Sequence, residues 1–533
     1  MDMPANAKMQ TISGKKYVFI DAPYWNAEKH RGEHKRRYIG KIVEGQFVPN
    51  GKYLLSLEKS GTIKLGPIPA TECKRQFYGA TYLLDQIGDK LGIVDDLKAS
   101  FPDRYKQLLS LAYFFVLEEG MSAYRLRKWA LTHKHSYGRD IPSQQISDLM
   151  GSIDEASKMN FFRRQAKRRA EKEYLAFDTT SISSYSELIK LAKYGKNKEG
   201  DHLPQVNLAL LYGEVSRLPV YFRKLTGNTA DVSLIRNLML DIDFLDMKKL
   251  SFVMGRSFYS EKNINDLMKR HHKFLIGIRC GLKIARKHLD EIRGEKMISW
   301  ENYHDDVGLY AMSFTDEWDY REEQPRTGKC ICDKRRVYVH IYFNDQRCTD
   351  ERLSFARYLT CLQDELKSGR KTDGHMKDYD KYFIVTETPK RGLHIVPKGD
   401  AIRERQRDFG YFVLLTNGIK NPVEAIKLYR VRDLIEKAFA NLKERLDMRR
   451  MSVSSSENFE GKLFVQFLAL IYLSYIKKQM DEKGLYKKYT MQTLLDDLDI
   501  IELYQQPGRA HHLSEITKKQ IALYDAMGVP FPK

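Results

Sequence analysis

Between residues 173 and 279 the chain alternates two hydrophobic periods, and that alternation constrains its fold class more than anything else in the sequence. Tyr174–Asp178 reads as a strand ending in an acid. Val206–Tyr212 and Leu218–Leu225 read as two more, with Gly213 in the turn between them. Ala230–Phe244 and Ser260–His271 carry apolar positions at helical spacing. Leu250–Met254, apolar but for Ser251, is a short strand with both faces covered, and Phe274–Ile278 is another. Three strands, helix, strand, helix, strand predicts an α/β sheet flanked by helices.

The flanking regions differ in character. Residues 1–70 form a small β-rich unit, with short strands at Tyr17–Ile20, Tyr38–Val43 and Gln46–Val48, and Lys29–Arg37 (KHRGEHKRR) is strongly basic. Residues 71–172 turn helical: Ala80–Leu91, Tyr105–Glu118, Ser122–Leu131, Ser143–Met150 and Phe161–Lys172. The last holds Arg163, Arg164, Lys167, Arg168 and Arg169, so one of its faces is nearly all cationic. It is either a solvated face or a DNA contact. Residues 173–279 and 411–450 are the two parts of the α/β core, with a strand at Tyr411–Thr416. Residues 280–410, with Val337–Phe343 and Tyr382–Thr386 strand-like, read as a β-rich insertion. A helical region, 451–533, follows.

Two features carry candidate chemistry. An acid at the end of a central strand, Asp178, stands where α/β sheets usually place ligands and metals; it could equally cap a turn. The helix expected over Pro422–Leu446 contains Tyr429, Arg432, Glu436 and Lys443. At about 100° per residue these lie in a stripe roughly 60° wide. Val431, Leu434, Ile435, Ala438, Phe439 and Leu442 form the adjoining apolar face. An acid, two cations and a phenol in a row suit a divalent metal beside a phosphodiester. An amphipathic helix with ordinary charged neighbours fits the same spacing.

Lys plus Arg number 90 against 70 Asp plus Glu, a formal charge of +20. That excess points to a polyanionic partner, most simply nucleic acid. Six cysteines are too few for a disulfide framework in 533 residues. Cys330 and Cys332 lack zinc-finger spacing, and all six are expected to be reduced thiols. The N-terminus has no apolar core of a secretory signal. Leu108–Leu117 and Leu463–Ile476 fall short of a bilayer span of roughly 20 residues and read as buried helices. His271 and His272 diverge by about 100° on a helix and read as surface or DNA-facing rather than a metal pair.

Several blocks resemble the DDE transposases of bacterial insertion sequences, in the insertion-sequence-4 superfamily. YLAFDTTSIS is similar to the first catalytic block and LTGNTAD to the approach to the second. FGYFVLLTNG with YRVRDLIEKAFANLKERL is similar to the third, Y-R-E-K signature included, and EGKLFVQFLALIYL to the helix beyond. The resemblance implies a ribonuclease-H-like (retroviral-integrase-like) core holding two Mg²⁺ ions, or Mn²⁺ in their place. It implies Asp178 and Glu436 as catalytic metal ligands and Tyr429, Arg432 and Lys443 as DNA-end contacts. Arg163, Arg164, Lys167 and Arg168 are further DNA-contact candidates. The implied partners are double-stranded DNA, as terminal inverted repeats and target, and a second copy in a paired-end homodimer, with no membrane. The implied location is the bacterial cytoplasm, at the nucleoid when DNA-bound.

One position departs from the pattern. The second block reads Val253-Met254-Gly255-Arg256-Ser257-Phe258-Tyr259 where the family has roughly Asp-x-Gly-Phe/Tyr. Gly255 stands at the second catalytic Asp. Glu261 on the following helix is the nearest candidate stand-in; Asp241, Asp243 and Asp246 belong at the opposite end of the strand. The expectation is a transposase with impaired DNA cleavage and strand transfer. The alternative is a catalytically inactive DNA-binding relative that occupies element ends or inhibits active transposase.

Overall fold

A computed structural model describes the chain apart from residues 1–2, 13, 27–29, 44, 61–72, 170–172, 186–188, 196–202, 230, 248, 324–329, 389–391, 447, 449–454 and 507–509. Lys29, the expected helix end at 170–172 and Ala230 lie outside the described residues. The chain forms two compact units. One comprises Met1–Leu91, Lys106–Ile146 and Gln479–Lys533; the other comprises Gly92–Tyr105 and Ser147–Lys478.

The first unit contains a four-stranded antiparallel sheet of β1 (Ala7–Ile12), β2 (Lys15–Asn26), β3 (Arg31–Val43) and β4 (Gln46–Pro49). Strands β2 and β3 pair as far as Asn26↔Arg31, well beyond their buried base at Val18 and Ile39, and make a long two-stranded ribbon. The two strands carry seven Lys and Arg against two Asp and Glu. Strand β5 (Lys74–Phe77) pairs with a late strand of the chain.

The second unit is built on a nine-stranded mixed sheet. Its strands are β6 (Tyr174–Ser183), β7 (Gln205–Gly213), β8 (Pro219–Thr226), β9 (Ser251–Met254), β10 (Lys273–Ile278), β11 (Tyr303–His304), β12 (Leu309–Glu323), β13 (Cys330–Phe343) and β16 (Tyr411–Thr416). Strands β14 (Phe383–Thr388) and β15 (Gly392–Pro397) form a separate hairpin; β17 (Glu502–Gln505) and β18 (His512–Leu513) complete the sheet of β5. The nine run in the order β11-β12-β13-β16-β10-β9-β6-β7-β8. Only β6–β9 and β9–β10 are parallel. Strand β9 is central and buried, as its apolar composition requires.

Four expectations need correction. Strand β6 does not end at Asp178 but continues to Ser183, because its outer half pairs with β7 alone. The 280–410 segment is not a separate β-rich insertion: β12 and β13 extend the central sheet through β16, and a 24-residue helix, Asp345–Ser368, follows them. That helix builds its own small core from Phe355, Leu362, Tyr379, Tyr382 and Phe409. The apolar run Leu463–Ile476 lies within a longer helix, Ser456–Glu482, which is long and apolar enough to cross a membrane but nearly all buried in the protein. His272 is not on the surface. It is buried, and its Nδ1 accepts the Leu250 N–H at 3.1 Å.

Phe162 joins helix Glu155–Arg169 to the sheet and the long helix. It meets Tyr221 and Phe222 of β8 and Phe464 and Phe467 edge-on at 5.1–6.0 Å. Phe162→Ala is expected to cost about 3–5 kcal/mol, read as a lower denaturant midpoint for this unit. Burial pushes the pKa of His272 and His340 down to about 4. The unfolded chain then binds protons first as pH falls, so stability is full above about 6.5 and is lost toward 4. Unfolding at pH 5 against pH 7 is expected to show a loss of roughly 2 kcal/mol per histidine, and His272→Asn to remove its share.

Candidate functional site

Side chains alternate across a strand, and the parallel register sets which ones share a face. Ala176 pairs with Val253, and Val253 with Leu275. Two residues further on, Asp178, Gly255 and Gly277 therefore point to the same side at the same level. That side is covered by the segment expected to be one helix. It is two: Pro422–Tyr429 over β9 and β10, and Arg432–Glu444 over β6 and β7. No Pro or Gly lies between Val423 and Glu444, so the local sequence does not force the break. At the joint, Val431, Asp433 and Leu434 donate to carbonyls three residues back, a tightened turn. The first helix starts at Asn421, whose side chain accepts the Val423 and Glu424 N–H groups, with Pro422 in the first turn. Ala425, Ile426 and Leu428 then pack on Val253, Leu275 and Leu414.

Asp178, Tyr429 and Glu436 meet around Arg432. Its Nη2 donates to Asp178 Oδ2 at 3.1 Å and to Glu436 Oε1 at 3.2 Å, and its Nη1 donates to the Tyr429 hydroxyl at 3.0 Å. Asp178 is nearly buried, and its Oδ1 accepts the Thr179 N–H at 2.8 Å. The Glu436 side chain is 60% exposed. Burial pulls the Arg432 pKa down, but Tyr429 and Asp178 outweigh it and hold it above the usual guanidinium value. Arg432 Nε is buried with no partner among the described residues. Lys443 lies on the same face two turns past Glu436, about 10 Å along the axis.

Gly255 leaves this guanidinium its room. A Cβ there would stand 3.3 Å from Arg432 Cζ and 3.5 Å from Nη1 and Nη2. Among the described residues, no group of three or more His, Cys, Asp or Glu could hold a metal, so Glu261 does not complete the set. Gly277 was not anticipated. A Cβ there would meet the Tyr429 hydroxyl at 2.7 Å. A glycine inside an otherwise apolar strand was the available signal for such a close approach.

The cationic face of helix Glu155–Arg169 is not one free surface. Arg168 makes a two-pronged bond to buried Asp96, both contacts at 2.8 Å. Arg163 donates to the Phe244 carbonyl at 3.0 Å and lies over its ring. Arg169 is buried and donates to Gln165, and its burial pushes its pKa down to about 10. Arg164 and Lys167 are exposed.

Two carboxylates, an arginine and a tyrosine thus gather on a mixed α/β sheet where its parallel strands end, a usual place for a ligand site in such sheets. The family profile of the transposase DDE domain matches residues 169–472, more than half the chain, and the chain belongs to that family. No curated protein matches it. Among solved structures it is loosely similar to a piggyBac transposase synaptic complex with hairpin DNA, at 10% identity and a TM-score of 0.34, covering 78% of this chain and 70% of that one. DDE transposase domains generally work with divalent metal ions. The donor set here does not fit them: two carboxylates remain, and one guanidinium nitrogen bonds both.

Gly277→Ala is expected to cost about 1–3 kcal/mol by overpacking against Tyr429. Tyr429→Phe in the Gly277→Ala background is expected to recover part of it. A double-mutant cycle from urea midpoints measures that coupling, and strict additivity would argue against the contact.

Proposed function

We propose that this chain is an insertion-sequence transposase of the insertion-sequence-4 type, with a ribonuclease-H-like core, that binds the terminal inverted repeats of its element. It is impaired in DNA cleavage and strand transfer. The observation that carries this reading is Gly255, one residue past the neighbouring strand and level with Asp178, where a Cβ would touch the Arg432 guanidinium. Asp178 and Glu436 are the remaining catalytic carboxylates. In the family's scheme they would join a third acid in holding two Mg²⁺ or Mn²⁺ ions for attack on a phosphodiester. A site lacking that acid does not hold the pair.

DNA binding rests on chemistry that survives the substitution. Lys443 is the member of the stripe this geometry favours for an end phosphate; Tyr429 and Arg432, bonded to each other and Arg432 also to Asp178 and Glu436, support that contact less well. Arg164 and Lys167, being exposed, support a DNA contact better than Arg163 and Arg168, which hold Phe244 and Asp96. The β2–β3 ribbon presents Lys35, Arg36 and Arg37 to solvent on a scaffold that a DNA groove accommodates. The working form is a homodimer holding two ends. The same geometry favours a second reading, an inactive relative that occupies ends or inhibits active transposase.

The test is excision of a marked element bounded by the gene's own flanking repeats. The unaltered chain is expected to excise at background and Gly255→Asp to restore excision. Equal excision by both would overturn the impaired-site reading. For binding, the end-complex affinity is expected to fall linearly with salt on logarithmic axes. Replacing Lys35, Arg36 and Arg37 with Ala is expected to make that slope shallower by about two to three; an unchanged slope would remove the ribbon from the interface.

A further inference from the structure

We propose that Arg432 is the resident cation of this site: its guanidinium fills the position between Asp178 and Glu436 that a divalent ion would take, and Gly255 supplies the room. Three observations carry this. One nitrogen, Nη2, lies within hydrogen-bond distance of oxygens from both carboxylates, so an ion bound to those oxygens would have to displace it. The guanidinium is anchored on its other side by the Tyr429 hydroxyl, which sits over Gly277 where no side chain intervenes. And the carbon through which a residue 255 side chain would start lies in contact with that guanidinium, so a carboxylate there would reach the same space.

The charge balance agrees with the geometry. Two carboxylates and one guanidinium leave one net negative charge, and two charge-assisted hydrogen bonds hold the cation in place. A third carboxylate would leave two net negative charges on a single guanidinium, and a hard divalent ion with several oxygen ligands would then compete. Gly255 and Arg432 therefore act as a matched pair. The loss of the acid removes a ligand and also lets an internal cation close the position. If the chain binds DNA ends as proposed above, that binding needs no divalent ion.

The experiment is a Mn²⁺ titration of the full chain without DNA, followed by electron paramagnetic resonance. The unaltered chain is expected to show no stoichiometric Mn²⁺ site up to millimolar ion. Arg432→Gln is expected to gain one, weakly, and Asp178→Asn in that background to remove it. Gly255→Asp with Arg432→Gln is expected to bind Mn²⁺ at least about tenfold more tightly than Gly255→Asp alone, the effect of removing one competing charge. Arg432→Lys keeps the charge without the fork and is expected to fall between. A one-to-one Mn²⁺ site in the unaltered chain, abolished by Asp178→Asn, overturns the proposal without any Arg432 variant having to fold. So does a failure of Arg432→Gln to raise Mn²⁺ affinity in both backgrounds. A gel shift on element ends in EDTA and in Mg²⁺ separates the two readings. Binding in neither counts against the DNA-end reading alone; binding only with Mg²⁺ counts against the resident cation.

Discussion

Parallel pairing of β6 with β9 and of β9 with β10 is the constraint on which the site depends. It brings Asp178, Gly255 and Gly277 to one level of the sheet and, by the two-residue period of a strand, to one face. Residues about 77 and 99 positions apart in sequence thereby become neighbours. Everything else at the site answers to that row. The helix that lies across it must avoid the backbone at Gly277 and reach down to Asp178. The covering segment meets both demands by breaking after Tyr429 into two helices.

The break gives the two halves separate tasks. The first half is anchored by Ala425, Ile426 and Leu428 in the apolar cluster under it, which fixes Tyr429 over Gly277. The second half begins with Arg432, whose guanidinium is half enclosed and bonded on two sides. A charge in that setting stays only if opposite charges meet it. Asp178 and Glu436 do so, and the net effect is a raised arginine pKa despite burial. The cation is thus held by Asp178, Glu436 and the Tyr429 hydroxyl together.

The strong positive charge of the chain is not uniformly available to a partner. Helix Glu155–Arg169 shows why. Its five basic residues at 163, 164, 167, 168 and 169 look equivalent in sequence, yet Asp96, the Phe244 carbonyl and Gln165 engage three of them. Buried Asp96 requires Arg168 and Gln165 as partners, since an unpaired buried carboxylate is costly. The β2–β3 ribbon differs in part: Lys35, Arg36 and Arg37 are exposed on β3, although Arg36 also donates to Gln10 and lies over the Phe19 ring.

The sequence by itself determined the local elements and the ingredients of the site. Strand Tyr411–Thr416 and the core strands fall where apolar runs bounded by turns put them, because burial on a sheet face imposes its own period. The spacing of Tyr429, Arg432, Glu436 and Lys443 and the acid in Phe177-Asp178-Thr179 were readable from helical and strand periods, whereas reading Gly255 as standing at an acid's position came from the family resemblance alone. What lay beyond reach was set by contacts between distant segments. The continuation of β6 to Ser183, the joining of β12 and β13 to the central sheet, the helix break at Arg430–Val431 and the burial of His272 each depend on a partner strand or face that no local window contains. The position of Arg432 belongs to the same class. Its presence on the functional stripe followed from helical periodicity, but its place between two carboxylates and over a glycine followed only from the register of three strands, because hydrogen-bond geometry is decided by where the backbones meet.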